Sequence, residues 1–466
     1  MDLRRLSPLD ESFLTLETPS AHMHVGWVAV LEPPTQGPSP SFAQLRDHIG
    51  ARLPRAPRYR QVLRAAPWGL GAAAWIDDED FDLARHVVNT DSTRLDEVIA
   101  ATMSTPLRRD RPLWQICIAD RLEDGRVGVV GRAHHCMVDG LAAVELASLL
   151  LDPTPLPGDP ADEEWKPVPG PGSTDLVAGA IADLARLQGD LLGLAARAAT
   201  SPRRALEMTE RTLRSAGALL GATRPAEPDA TLNPEISPRR LLGRVARPLD
   251  ELLEVKDVFG VKLNDVVLSV SAGAIRRLLR ERGSQPAAQK TMVPVSVRGD
   301  ESAGELGNRI SFMFIELPCD EPDPVRRLRR IHAETTDRKR AGEPEGAGDV
   351  VRALGLAPPP LRKLASRLLA SPRVFNLVVS NIPGPREPLY MRGCRLVEAY
   401  PVVPLAERHS LSIGMTTVSD GAFFGLYADP QTLPEVHELA VAIDDSINEL
   451  LVAARSVRAE APLVAA

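Results

Sequence analysis

The run His134-His135-Cys136-Met137-Val138-Asp139-Gly140 brings together two adjacent histidines, an aspartate four positions past the second, and a glycine. Histidine takes and returns a proton near neutrality because its unperturbed pKa is about 6.5. The chemistry on offer is therefore proton transfer. Adjacent strand residues point to opposite faces, so the pair makes a poor joint ligand for one metal. No third and fourth ligands stand at zinc-like spacing, and no metal is implied. Asp139 alone also fits a helix N-cap, and either histidine alone fits a satisfied core residue. Cys136 raises the further alternative of a nucleophilic thiol.

The flanking residues suggest how these side chains are held. Residues 126–133 read as a short β-rich run, and residues 140–150 carry apolar positions at helical spacing. The histidines then sit at a strand end, in the turn that opens a helix, a place where a rigid scaffold often carries functional residues. Other strand-like runs are residues 24–31, 292–297 and 376–380; residues 95–103 and 263–280 read as helices. This alternation predicts a mixed α/β architecture. The stretch 152–173, rich in proline, glycine and acids, reads as an exposed linker. Residues 174–220 read as a long helical region, and Asp183, Arg186, Asp190 and Arg197 interrupt any apolar run long enough to span a bilayer. That region is either a helix pair packed on the protein or an interfacial surface that docks on lipid.

The chain has 466 residues, enough for two sizeable domains, and a formal net charge of -7 that makes no case for nucleic-acid binding. The four cysteines, Cys117, Cys136, Cys319 and Cys394, lack paired spacing and read as reduced, packed thiols. No apolar signal-peptide core follows Met1. The expected location is cytoplasmic, with peripheral association at a membrane or lipid inclusion.

HHxxxDG resembles the signature of acyltransferases related to chloramphenicol acetyltransferase. Further segments narrow the resemblance to the bacterial wax ester synthase/diacylglycerol acyltransferases. Leu6-Ser7-Pro8-Leu9-Asp10, with Phe13, Glu17 and His22-Met23-His24-Val25-Gly26, resembles that family's opening. Arg111-Pro112-Leu113-Trp114 resembles its PLW motif, and Asn264-Asp265-Val266-Val267-Leu268 its ND motif. Leu306-Gly307-Asn308-Arg309 and Ser380-Asn381-Ile382-Pro383-Gly384-Pro385 resemble two later family segments. The segments occur in family order and span nearly the whole chain.

The resemblance implies an α/β fold of two chloramphenicol acetyltransferase-like halves with the active-site channel between them, although no internal sequence repeat is visible. The halves would be residues 1–151 and 241–466, joined by a Pro-rich linker and connecting helices at 152–240. It implies transfer of a long-chain acyl group from acyl-CoA, a substrate rather than a bound cofactor, to diacylglycerol. His135 would be the general base. His134 would brace the loop or contact substrate, and Asp139 would pair with an arginine to hold the turn, with Arg58, Arg60, Arg64 and Arg298 as candidates. Gly140, Asn264, Asn381 and Gly384 would contact substrate, Asn264 being equally suited to starting a helix, while Pro112, Leu113 and Trp114 would pack. Alternative readings are wax ester synthesis on a fatty alcohol, a free-standing condensation-type enzyme, and a catalytically silent lipid-binding protein. The Arg- and Ala-rich, Lys-poor composition suggests a high-GC genome and favours the glycerolipid.

Overall fold

Every residue from Val127 to His134 is buried, and this strand lies inside the first of two six-stranded sheets. The computed structural model describes residues 5–67, 72–137, 150–156, 165–182, 185, 188–189, 225–296, 310–341 and 359–460. The first half contains α1 (Pro8–Leu16), β1 (His24–Glu32), α2 (Phe42–Gly50), β2 (Gln61–Arg64), β3 (Ala74–Asp77) and β4 (Val87–Asn89). It continues with α3 (Leu95–Met103), β5 (Trp114–Ala119) and β6 (Val127–His134). The second half opens with β7 (Leu241–Pro248), α4 (Leu249–Phe259), α5 (Leu263–Glu281), β8 (Gln289–Ser296) and β9 (Ile310–Leu317). Then come α6 (Pro324–Arg340), α7 (Pro359–Leu369), β10 (Leu377–Ile382), β11 (Tyr390–Met391) and β12 (Cys394–Val402). The chain ends in β13 (Leu411–Val418), β14 (Gly421–Ala428) and α8 (Val436–Glu460).

The first sheet runs β11-β12-β1-β6-β5-β4 and the second β7-β14-β13-β10-β8-β9, while β2 and β3 pair separately. Both large sheets are mixed: β4 is parallel to β5, and β10 is parallel to β8 and β13. The helix α5 is packed through most of its length, with α4 and α8, into the core of the second sheet. The architecture is two sheet-rich α/β halves, as the sequence implies.

A division at residue 241 does not separate the sheets. Strands β11 and β12 come from the C-terminal segment yet complete the first sheet, β12 pairing antiparallel with β1 from Gly26 opposite Val402 to Glu32 opposite Arg395. At this seam the sheets approach closely: a Cβ on Gly425 of β14 would lie 2.2 Å from the Pro401 carbonyl oxygen. Only glycine allows that contact.

The start of the 152–173 stretch also departs from an exposed linker. Asp152 is buried, its backbone pairs with Tyr390, and its carboxylate takes two hydrogen bonds from Arg52 at 2.5 and 2.7 Å. An acid in a Pro-rich run reads as solvated, and a guanidinium a hundred residues away reverses that. The helix read at 140–150 lies outside the described residues except at its last position, as does most of 174–220. Among the described residues no single helix is long and apolar enough to cross a membrane; α4 and α5 together are, but they bend by 103°.

Candidate active site

Strand β6 ends at His134 and the turn after it holds His135, and neighbouring segments fix both by backbone hydrogen bonds. The His134 amide donates to the Leu113 carbonyl at 2.9 Å, and the His135 amide donates to the Met23 carbonyl at 2.9 Å. The Met137 amide then donates to His134, closing a turn immediately after the strand. Met23 holds φ at 50°, a left-handed conformation that is uncommon for a non-glycine residue. That backbone angle aims its carbonyl where the next strand over needs an acceptor. The PLW and HH motifs are thus neighbours in space, with Trp114 opposite Ala133 in the β5–β6 ladder.

The His135 ring lines a cavity of about 330 Å³ bounded by both halves. This volume lies in the usual range for small-molecule sites. Leu9, Phe13 and Leu16 of α1 and Trp27 of β1 form one wall; Phe312, Phe314, Phe375 and Tyr400 contribute from the C-terminal segment. Nearly all the lining is apolar, so the imidazole faces a space suited to hydrocarbon. Phe13 stacks flat on His135, with ring centroids 3.7 Å apart and planes 6° from parallel. The helix that carries Phe13 starts cleanly: Ser7 caps it by accepting from the Asp10 amide, Pro8 opens it, and Asp10 and Glu11 sit in its first turn.

His134, the last residue of β6, lies off the cavity, whereas His135, the first residue of the turn that follows, lines it. It is fully buried, and its Nδ1 accepts the Cys136 amide at 3.1 Å, which leaves the proton on Nε2. That Nε2 faces Glu17 Oε1 at 3.9 Å, too far for a hydrogen bond, while Glu17 is paired with Arg109. Burial, then the charges of Arg109 and His135, bring the His134 pKa down to about 3. His134 is therefore held neutral, is tied to the turn through the Cys136 amide, and is not among the residues lining the cavity. Burial likewise pushes the Cys136 thiol up to about 12, against the pull of Arg109 and Arg58, so it is no ready nucleophile.

Residues 6–267 match the wax ester synthase/diacylglycerol acyltransferase catalytic domain, and residues 306–451 match the C-terminal domain of the same enzymes. The chain belongs to the wax ester synthase/diacylglycerol acyltransferase family. It is an acyltransferase of that family. A Mycobacterium tuberculosis protein named "Probable diacyglycerol O-acyltransferase tgs1" is 31% identical over 462 residues, covering 96% of each chain. A second from that organism, tgs2, is 30% identical over 466 residues, covering 97% of this chain and 99% of its own. The solved wax ester synthase/diacylglycerol acyltransferase of Marinobacter aquaeolei VT8 superposes with a TM-score of 0.69 at 25% identity, over 97% of this chain and all of that one. The first condensation domain of the calcium-dependent antibiotic synthetase shares the fold, with a TM-score of 0.59 at 16% identity over 97% of this chain and 96% of that one.

The remaining family motifs are placed unevenly around this site. Asp139, Gly140 and Arg298 lie outside the described residues, as do residues 306–309. Of the arginines named for Asp139, Arg64 is exposed on β2, Arg60 stacks over Trp165 at 5.0 Å, and Arg58 stacks over Trp75 at 4.5 Å. Asn264 does not line the cavity; it is half-buried in the first turn of α5. The polar work of the ND motif falls to Asp265, which is fully buried and accepts from the Lys262 amide, His332 Nδ1 and Thr335 Oγ1 at 3.0, 2.7 and 2.8 Å.

Asn381 is also off the cavity. Ser380 and Ile382 of β10 line it, so the intervening residue is turned to the other face. Gly384 is closely packed, since a Cβ there would fall 1.8 Å from the Thr417 carbonyl oxygen, and it is not among the residues lining the cavity. Leu113 and Trp114 are core residues, the Trp114 indole donating to the Tyr59 carbonyl at 2.7 Å. Sequence reasoning missed Phe13 as a contact of His135 and Glu17 as a neighbour of His134. Their i, i+4 spacing at the end of an amphipathic helix was the available signal.

Proposed function

We propose that this chain transfers a long-chain acyl group from an acyl-CoA thioester to the free hydroxyl of diacylglycerol, forming triacylglycerol, with His135 as general base. The observation that carries the reading is the position of His135, anchored through its backbone, stacked on Phe13 and facing an apolar cavity walled by both halves. The names of the mycobacterial relatives support the acceptor. A solved condensation domain of this fold is described in complex with C8-CoA, which supports the donor class.

An alcohol is a weak nucleophile, so its proton must leave as the oxygen attacks. His135 takes that proton while the new C–O bond forms at the thioester carbonyl. Collapse of the tetrahedral intermediate breaks the C–S bond, and the imidazolium returns the proton to the departing CoA thiolate. No acyl-enzyme is needed, consistent with the buried, protonated Cys136 thiol. Asp139 is assigned a positioning role at the turn that follows His135.

The test is purified protein with radiolabelled palmitoyl-CoA, offered dioleoylglycerol and hexadecanol in parallel. Label should enter triacylglycerol, and His135→Ala should lower turnover by about 10²–10⁴-fold, the usual worth of a positioned base. Dominant wax ester would replace the acceptor and keep the mechanism. Full activity in a folded His135→Ala protein would end it.

A further inference from the structure

Helix α7 has the sequence Pro-Pro-Leu-Arg-Lys-Leu-Ala-Ser-Arg-Leu-Leu, with three basic residues and no acid. Its two faces have opposite tasks. Arg362, Ser366 and Leu369, with Ala370 just beyond the helix, line the cavity that holds His135. Arg362 also pairs with Glu11 and so ties this helix to α1, the helix that carries Phe13. On the outside, Leu361, Leu364 and Leu368 are 59%, 55% and 59% exposed. Their i, i+3, i+7 spacing makes one continuous apolar stripe. Most large apolar side chains in a folded protein are buried, and a contiguous exposed set marks an interaction surface. Beside the stripe, Lys363 and Arg367 are exposed as well.

We infer that α7 is a docking helix that seats the protein on an anionic lipid surface, with Leu361, Leu364 and Leu368 immersed and Lys363 and Arg367 at the headgroups. Charge decides the occupant: an apolar stripe flanked by cations with no acid on the helix is the pattern of an interfacial helix on anionic lipid. Position agrees. The opposite face of the same helix is a wall of the apolar cavity, so one helix diameter, about 10 Å, separates the lipid from the space beside His135. Lipid-dissolved acceptor then reaches the site without crossing water. This use of the surface rests on the acyl-transfer reading above; the docking itself does not.

The experiment measures binding of the full-length protein to sedimenting vesicles of phosphatidylcholine alone and of equimolar phosphatidylcholine and phosphatidylglycerol. The wild type should prefer the anionic vesicles. The triple variant Leu361→Ser, Leu364→Ser and Leu368→Ser should bind them about 100-fold more weakly, the effect of withdrawing three leucines from hydrocarbon. Lys363→Gln with Arg367→Gln should reduce binding about 30-fold and only on anionic vesicles. In the acyl-transfer assay the triple variant should lose activity on diacylglycerol presented in vesicles while keeping it on detergent-dispersed diacylglycerol. Unchanged vesicle binding by the triple variant overturns the inference, whatever its activity. So does a dimer that becomes monomeric in the triple variant with vesicle binding intact, because the stripe would then join two copies. If the triple variant does not fold, full anionic-vesicle binding by the lysine–arginine variant overturns the inference by itself. Docking through α7 with no acyl transfer from any donor would instead sink the proposed function and leave the surface standing.

Discussion

Replacing Phe13 with leucine separates the role of the stacked ring from that of apolar bulk beside His135. The two rings lie 3.7 Å apart and within 6° of parallel, so the pair is a full face-to-face contact rather than a grazing one. Leucine keeps an apolar side chain on α1, and Phe13 is only half-buried, so the fold should lose little. What disappears is the stacking preference, about 0.5–1.5 kcal/mol beyond burial. The imidazolium formed during turnover also loses the face of an aromatic ring, worth roughly 0.5–1 kcal/mol at a partly open site. Together these predict a fall in kcat of about 5–70-fold. KM should move little, because both contributions act on the orientation and charge of the base rather than on the acyl chain. Phe13→Tyr should restore most of the rate. The assay is steady-state acyl transfer over a range of acceptor concentrations, with the urea midpoint of each variant as the folding control. A Phe13→Leu enzyme with unchanged kcat, or one whose loss is entirely in KM, would refute the positioning argument.

Three further outcomes follow from buried groups. Arg52→Ala removes the two charge-assisted hydrogen bonds that the guanidinium gives the buried Asp152 carboxylate and should destabilise the protein by about 1.5–3 kcal/mol, whereas Arg52→Met with Asp152→Leu should recover much of that, as read by denaturant unfolding. Stability should fall as pH drops from about 6.5 towards 4. Burial lowers the pKa of His22, His24, His48, His86, His134 and His409, so the unfolded chain binds protons that the fold refuses. For fully buried His134, held near 3, the slope approaches about 1.4 kcal/mol per pH unit over that window, and a urea midpoint flat from pH 7 to 4 would contradict it. Cys136→Ala should retain activity, and iodoacetamide should leave the folded wild type active, because a buried thiol near 12 carries almost no thiolate; inactivation by the reagent in step with Cys136 labelling would reopen covalent catalysis.

Local signals were enough to place many of the elements. The apolar runs at 24–31 and 126–133 became β1 and β6, residues 95–103 became α3, and the long helix from Leu263 ends one residue beyond its expected limit. Periodicity and composition act within a few residues, so the chain states them directly. The paired histidines and their strand-end setting were legible for the same reason: the two are adjacent in sequence, at the junction of an apolar run and a turn.

Tertiary structure decided everything that depends on residues far apart in the chain. Strand β12 joins the first sheet by pairing across some 370 residues with β1, which no local pattern announces. Asp152 reads as linker until Arg52 meets it, and Asn381 reads as a site residue until the alternation of β10 gives its neighbours the cavity. Phe13 and Glu17 stand in a motif whose purpose is invisible until α1 folds against the end of β6. The sequence states which side chains can move a proton; only the packing of α1, α7, β1 and β12 around β6 decides that His135 faces hydrocarbon and His134 does not. The reason is physical. Side-chain direction is local and set by the strand, whereas the medium a side chain meets is made by every element that closes over it.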